Sequence, residues 1–140
     1  MAHINFLPVL VCGIFAMALG FLWYGPLFGK RWMMVMGTDK LSEEEKVSMR
    51  KNAWKLYLTQ FVLTLLEMYV LSWYISFADL VSPPIHTAFI IWLAFLVPMI
   101  ASSAMWNGDS KKIAWNRFLI QAGYQLVLFI ICGFILGMWS

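Results

Sequence analysis

The sequence predicts an all-α integral membrane protein: a four-helix transmembrane bundle, N-out/C-out, with its second helix extended into the cytoplasm. Three observations lead there. Hydrophobic residues make up 62% of the 140 residues and charged residues 12%, and a soluble domain of this size has no interior large enough to hide that much apolar surface. The apolar residues fall into four runs, each long enough to cross about 30 Å of hydrocarbon at 1.5 Å per residue. All ten Lys and Arg lie in two of the intervals between those runs.

The first helix covers about 4–24 in a single domain spanning 1–140. Ala16-Met17-Ala18 has the small-x-small form of a signal-peptide cleavage site. No Lys or Arg precedes the run, however, and it continues to Phe28, so the expectation is a retained helix. The run ends in Trp23-Tyr24-Gly25-Pro26, followed by Gly29-Lys30-Arg31-Trp32. Pro26 lacks an amide hydrogen and disfavours helix at Gly25, so a helix should end or kink there. Trp23, Tyr24 and Trp32 have apolar rings with a polar edge, which suits the bilayer interface and leaves Lys30 and Arg31 in water or among headgroups. Trp32 to Met36 reads as a short interfacial turn stopped by Gly37.

The second helix covers about 43–77. Ser42-Glu43-Glu44-Glu45 fits a capping box, and acidic residues sit favourably at a helix N-terminus. Nothing interrupts the pattern afterwards, so this helix projects from the membrane before entering it near Trp54 and Tyr57. The third helix, about 85–105, follows Pro83-Pro84. The fourth covers about 118–138. Strands are disfavoured because the runs are too long and unbroken for a barrel.

Orientation comes from the cations. The interval after the first helix holds seven, from Lys30 to Lys55, and the interval after the third holds Lys111, Lys112 and Arg117. The positive-inside rule places loops 25–53 and 106–117 in the cytoplasm. The net charge of +3 therefore speaks for topology and anionic lipid rather than for nucleic acid.

Glu67 is the twelfth of 23 residues between Lys55 and Asp79, which puts it near the midplane. An ionised carboxylate there costs at least about 2.5–3.5 kcal/mol, so it should be neutral, hydrogen-bonded or beside a wet cavity. Gln60, Thr64, Glu67, Leu71 and Tyr74 share a helix face that should point at protein. Arg117, Gln121, Tyr124 and Gln125 form a second polar face on the last helix, with Ser102 and Ser103 as candidate partners. Gly13, Ala16 and Gly20, and Gly133 with Gly137, are small-residue faces that permit close helix contact. Cys12 and Cys132 both fall inside apolar runs and read as buried thiols.

No phosphate loop, zinc-protease motif or nucleophile elbow is present, so no catalytic residue and no cofactor is implied. His3, Asp79 and His86 map to the outer side without ligand spacing, and no metal site is implied. Three function classes remain. The first is a non-enzymatic membrane protein that packs with itself or with other membrane proteins, as a homo-oligomer with glycine faces at a subunit interface. The second is a channel or transporter for a proton, ion or small solute, using Glu67 and Gln60. The third is a lipid-modifying enzyme with Tyr24, Lys30, Arg31 and Tyr124 at the cytoplasmic interface.

Several stretches carry a family resemblance. They are Trp23 to Met33, Gly37 before its acidic cap, Trp92-Leu93-Ala94-Phe95-Leu96-Val97-Pro98, and Phe118 to Leu126 with Gly133, Gly137 and Trp139 behind it. Together they resemble the bacterial membrane-protein family catalogued as domain of unknown function 1761. That family more often has Ser at Gly25, Gly at Ala94, and Asn or Asp at Gln121, all swaps that keep the packing logic. Glu67 is not part of the resemblance. The resemblance implies a four-helix membrane protein of the bacterial inner membrane and no particular activity.

Overall fold

The computed structural model describes residues 5–78 and 81–139. Helix α1 is Phe6–Leu22, and the Asn5 side chain caps it by accepting from the Leu7 amide at 3.1 Å. It does not stop at Pro26. The chain widens into a π-helical turn, Trp23–Leu27, closed by the Phe28 amide on the Trp23 carbonyl at 3.0 Å. A proline cannot donate to the carbonyl four residues back, and its ring crowds that carbonyl. A wider turn relieves both problems without leaving the helix. Helix α2, Gly29–Met36, follows and ends at Gly37, whose φ of 74° lies in the left-handed region that glycine adopts without strain.

A short 3₁₀ turn, Thr38–Lys40, leads to α3, Glu43–Ala78. Ser42 Oγ caps α3 by accepting from the Glu45 amide at 3.2 Å. At 36 residues, α3 is about 54 Å long, well beyond the ~30 Å a bilayer needs. Helix α4, Pro84–Ile91, opens with proline in its first turn, where the missing amide costs nothing. It passes through a second π-helical turn, Trp92–Leu96, into α5, Val97–Met105. Pro98 at the head of α5 explains this turn as Pro26 explains the first.

Helix α6 is Lys111–Met138, capped by Ser110 Oγ accepting from the Ile113 amide at 3.4 Å. The expected start near 118 is therefore corrected to Lys111, and the loop expected over 106–117 is only its first part. The hydrophobic run marks the stretch apolar enough to cross a membrane; the serine cap marks where the helix begins. Four helical runs are long and apolar enough to cross a membrane: Phe6–Leu27, Glu43–Ala78, Pro84–Met105 and Lys111–Met138. No strand occurs among the described residues.

Helix α6 is central, with α1, α2, α3, α4 and α5 all packing against it. Helix α1 runs antiparallel to both α3 and α6, so α3 and α6 run parallel to each other. Phe6 stacks on Tyr69 and Phe21 packs on Tyr57, with ring centroids 5.6 and 5.5 Å apart, which sets the register of α1 against α3. Cys12, Met68, Leu71, Ile75, Leu128, Cys132 and Leu136 form the centre of the core. The two thiols meet there, and Cys12 Sγ donates to the Cys132 carbonyl at 3.9 Å. The outer surface is apolar: Phe77, Leu56, Phe95 and Met99 are each at least 71% exposed. Large apolar side chains exposed on every face suit a lipid surround rather than water.

The glycine faces are filled within the chain. A Cβ on Gly13 would meet Leu65 Cδ2 at 2.6 Å, one on Gly133 would meet Ala88 Cβ at 2.8 Å, and one on Gly137 would meet Pro84 Cγ at 2.5 Å. The expectation that these faces serve contacts between subunits is corrected accordingly; they bring α3 and α4 close to α1 and α6. Gly133→Leu should destabilise the fold by roughly 1–3 kcal/mol, since Ala88 Cβ and the α4 backbone at Pro84 and Ile85 cannot swing aside. Denaturant unfolding in detergent micelles checks this, and Gly25→Leu, with open space around it, should change little.

Candidate functional site

A cavity of about 800 Å³ lies between α1, α3, α5 and α6. It arises from how the helices diverge. Helix α4 packs on both α3 and α6, whereas beyond the Trp92–Leu96 turn α5 packs on α6. Its walls are Ala16, Met17, Gly20, Phe21, Tyr24, Gly25 and Trp32 on one side, Tyr57 and Gln60 on α3, Met99, Ile100 and Ser103 on α5, and Gln121, Tyr124 and Gln125 on α6. Phe21, Tyr57, Gln60, Met99 and Ser103 are exposed, so the cavity opens sideways between α3 and α5.

Three side-chain bonds hold these walls. Trp23 Nε1 donates to the Ile120 carbonyl at 2.9 Å, Trp92 Nε1 to the Ala122 carbonyl at 3.0 Å, and Tyr124 Oη to the Ala16 carbonyl at 2.8 Å. Both tryptophans begin a π-helical turn, and both carbonyls accept the widened i+5 bond of their turn. Each proline-distorted helix is thus pinned by an indole to the same turn of α6. A carbonyl has a second lone pair, so α6 accepts these bonds without losing its own. Tyr24 completes the inner wall, with its ring 4.7 Å from Trp32 and 5.5 Å from Tyr124. A Cβ on Gly20 would sit in ordinary van der Waals contact with the Tyr124 hydroxyl, at 3.7 Å.

The polar residues expected from the sequence divide in two. Gln60, Gln121, Tyr124 and Gln125, with Tyr24, Gly25 and Trp32, line the cavity together. Gln60 Nε2 donates to Thr64 Oγ1 at 3.2 Å, and that hydroxyl donates to the Gln60 carbonyl at 2.8 Å. Glu67 lies deeper on the same face, within electrostatic reach of Tyr124, and its Oε1 is buried without a hydrogen-bond partner. Gln125 Oε1 is in the same condition. The face expected to point at protein does so at Thr64 and Leu71, which are 2% and 3% exposed, but Tyr74 is 48% exposed.

Other residues serve elsewhere. Arg117 does not join Gln121 and Tyr124. Its guanidinium donates to Asp109 Oδ2 at 3.0 Å and to the Val35 carbonyl at 3.2 Å. With its amide oxygen turned inward, Asn107 accepts from Arg117 at 3.1 Å as well. Arg117 therefore ties α2 and the 106–110 turn to α6. Pro26, Lys30 and Arg31 are exposed and line no part of the cavity. A Cβ on Gly29 would meet the Tyr24 carbonyl at 3.2 Å, which accounts for that glycine. His86 bonds Ser82 at 2.9 Å, while His3 and Asp79 lie outside the described residues.

Phe21, Tyr57 and Met99 were not legible as wall residues, because they look like any lipid-facing side chain. Part of the signal for Trp92 was present: a tryptophan precedes Pro98 by six residues, as Trp23 precedes Pro26 by three.

Tyr124→Phe and Trp92→Phe should each lower stability by about 0.6–2 kcal/mol, the worth of one polar contact between helices in lipid. Denaturant titration in micelles reads that loss. Arg117→Gln should cost about 2 kcal/mol, as expected for a charge-assisted hydrogen bond, and should release α2. Faster proteolysis within residues 37–42 reports the release.

No curated protein and no solved structure matches the chain. The family model described as a protein of unknown function, DUF1761, matches residues 7–137. That match covers nearly the whole sequence, and the chain belongs to the DUF1761 family.

Proposed function

We propose that this is a multi-pass membrane protein that binds a small amphiphilic molecule in the cavity between α1, α3, α5 and α6. The supporting observation is the lining itself. About 800 Å³ of space within the apolar spans is walled by five aromatic rings and by neutral hydrogen-bonding groups, with no fixed charge. Volume and composition match small-molecule sites, where apolar walls supply affinity and a few polar groups supply orientation. The side opening suits a ligand that arrives from the bilayer.

The other readings have less support. Packing between copies leaned on glycine faces, and those are occupied by Leu65, Ala88 and Pro84. A lipid-modifying site needs a basic pocket for a headgroup, and neither Lys30 nor Arg31 lines this one. A permeation path through Glu67 would need Glu67 on the cavity wall.

All ten Lys and Arg belong to one end of the molecule, the end carrying α2 and the 106–110 turn. By the positive-inside rule that end is cytoplasmic, and the cavity lies in the cytoplasmic half of the spans.

Two experiments test this reading. Native mass spectrometry of protein released from its own membrane should show a small adduct on the wild type that is absent from Ser103→Trp, which fills the cavity. Identical adducts on both would remove the proposal. A cysteine replacing Ser42 should react with an impermeant maleimide in inverted vesicles and not in right-side-out ones. The reverse pattern would overturn the orientation.

A further inference from the structure

Hydrogen-bond donors reach the cavity from three helices. Gln60 of α3 gives one amide hydrogen to Thr64 and keeps the other. Ser103 of α5 adds a hydroxyl, and α6 adds the Gln121 and Gln125 amides one turn apart. Gln125 Oε1 has no accessible surface, so the polar atom this residue offers to a ligand is its amide nitrogen. Gln60 and Ser103 are exposed at the opening, whereas Gln121 and Gln125 are half-buried behind it. Donors therefore stand at both the mouth and the back of one space.

The rest of the wall selects by charge and by shape. Among the described residues, no Lys, Arg, His, Asp or Glu lines the cavity. An ion inside it would lose its hydration and meet no counter-charge, which favours a neutral occupant. The Tyr24 ring centroid lies 4.7 Å from that of Trp32 and 5.5 Å from that of Tyr124. The faces of such rings carry negative quadrupole charge, so they stack best on a flat ring that is itself electron-poor. Carbonyl groups conjugated to a ring withdraw its electrons and supply acceptors at the same time.

From these observations we infer that the ligand is a lipid-soluble quinone, an uncharged flat ring with carbonyl oxygens on opposite edges. One carbonyl accepts from the glutamines of α6 and the other from Gln60 and Ser103, while the ring packs against the aromatic wall. An apolar tail leaves through the side opening into the bilayer. The inference rests on the cavity reading above and adds the ligand's charge, shape and acceptors.

The full chain in neutral detergent micelles is dialysed to equilibrium with three probes, and empty micelles are subtracted. The probes are 2,3-dimethyl-1,4-naphthoquinone, 2,3-dimethylnaphthalene and 2-hydroxy-3-methyl-1,4-naphthoquinone, which is an anion at neutral pH. The same fused ring then carries carbonyls, no carbonyls, or carbonyls with a charge. The neutral quinone should bind tightest. Gln121→Leu and Gln125→Leu should each weaken it about three- to tenfold, the worth of one neutral hydrogen bond. Both variants should bind dimethylnaphthalene as the wild type does, which also shows that they are folded. Ser103→Trp, which fills the space, should bind none of the three.

If dimethylnaphthalene or the anion binds as tightly as the neutral quinone, the quinone inference is overturned and the cavity reading stands. Quinone binding unchanged in both glutamine variants would overturn it as well. If no probe binds above empty micelles, the quinone inference falls, and the adduct comparison with Ser103→Trp decides the cavity reading by itself.

Discussion

In lipid, apolar side chains gain nothing by leaving one apolar medium for another, so helices must be held by close packing and by polar bonds. In this chain such polar bonds converge on one turn of α6. Between Ile120 and Tyr124 this helix accepts two indole hydrogen bonds and donates one phenol hydrogen bond, joining α1 and the α4–α5 run to it. Elsewhere contact is made by small residues, with Gly133 against Ala88 and Gly13 against Leu65. Without that α6 turn, α1 and α5 would lose their register against α6.

The two prolines give the arrangement its consequence. Pro26 and Pro98 each force a wider turn, and each turn starts at the tryptophan that reaches α6. The distortion and the anchor are coupled: the helix changes direction where it is pinned. Beyond those points α1 and α5 leave room between them, and Tyr24, Ser103 and the glutamines of α6 face that room. A cavity in a membrane span needs such a cause, because straight helices with small residues would close it.

Much of the fold was legible because each helix is bounded by local chemistry. The Ser42 cap, the left-handed Gly37 and the proline opening α4 all act within a few residues. The start of α6 was missed by seven residues because hydropathy reports the edge of the apolar stretch and Ser110 reports the edge of the helix. Polar spacing placed Gln121, Tyr124 and Gln125 on one face, and all three line the cavity, yet spacing also included Arg117, which tertiary contacts draw to Asp109 and Val35 instead. Glycine spacing showed that something must come close and could not show whether the neighbour was another copy or the next helix.

The sequence by itself determined four apolar helices, the clustering of every cation at one end, and membership of the DUF1761 family. These follow from composition and from interactions within one helix turn, which a linear reading captures. Only the tertiary structure decided that Trp23 and Trp92 meet the same turn of α6, that the glycines are filled from within, and that neutral polar groups from three helices and the Trp23–Leu27 turn share one cavity. Those facts depend on helix rotation and divergence. Both are set by contacts between residues about 100 positions apart, such as Trp23 with Ile120 and Ala16 with Tyr124.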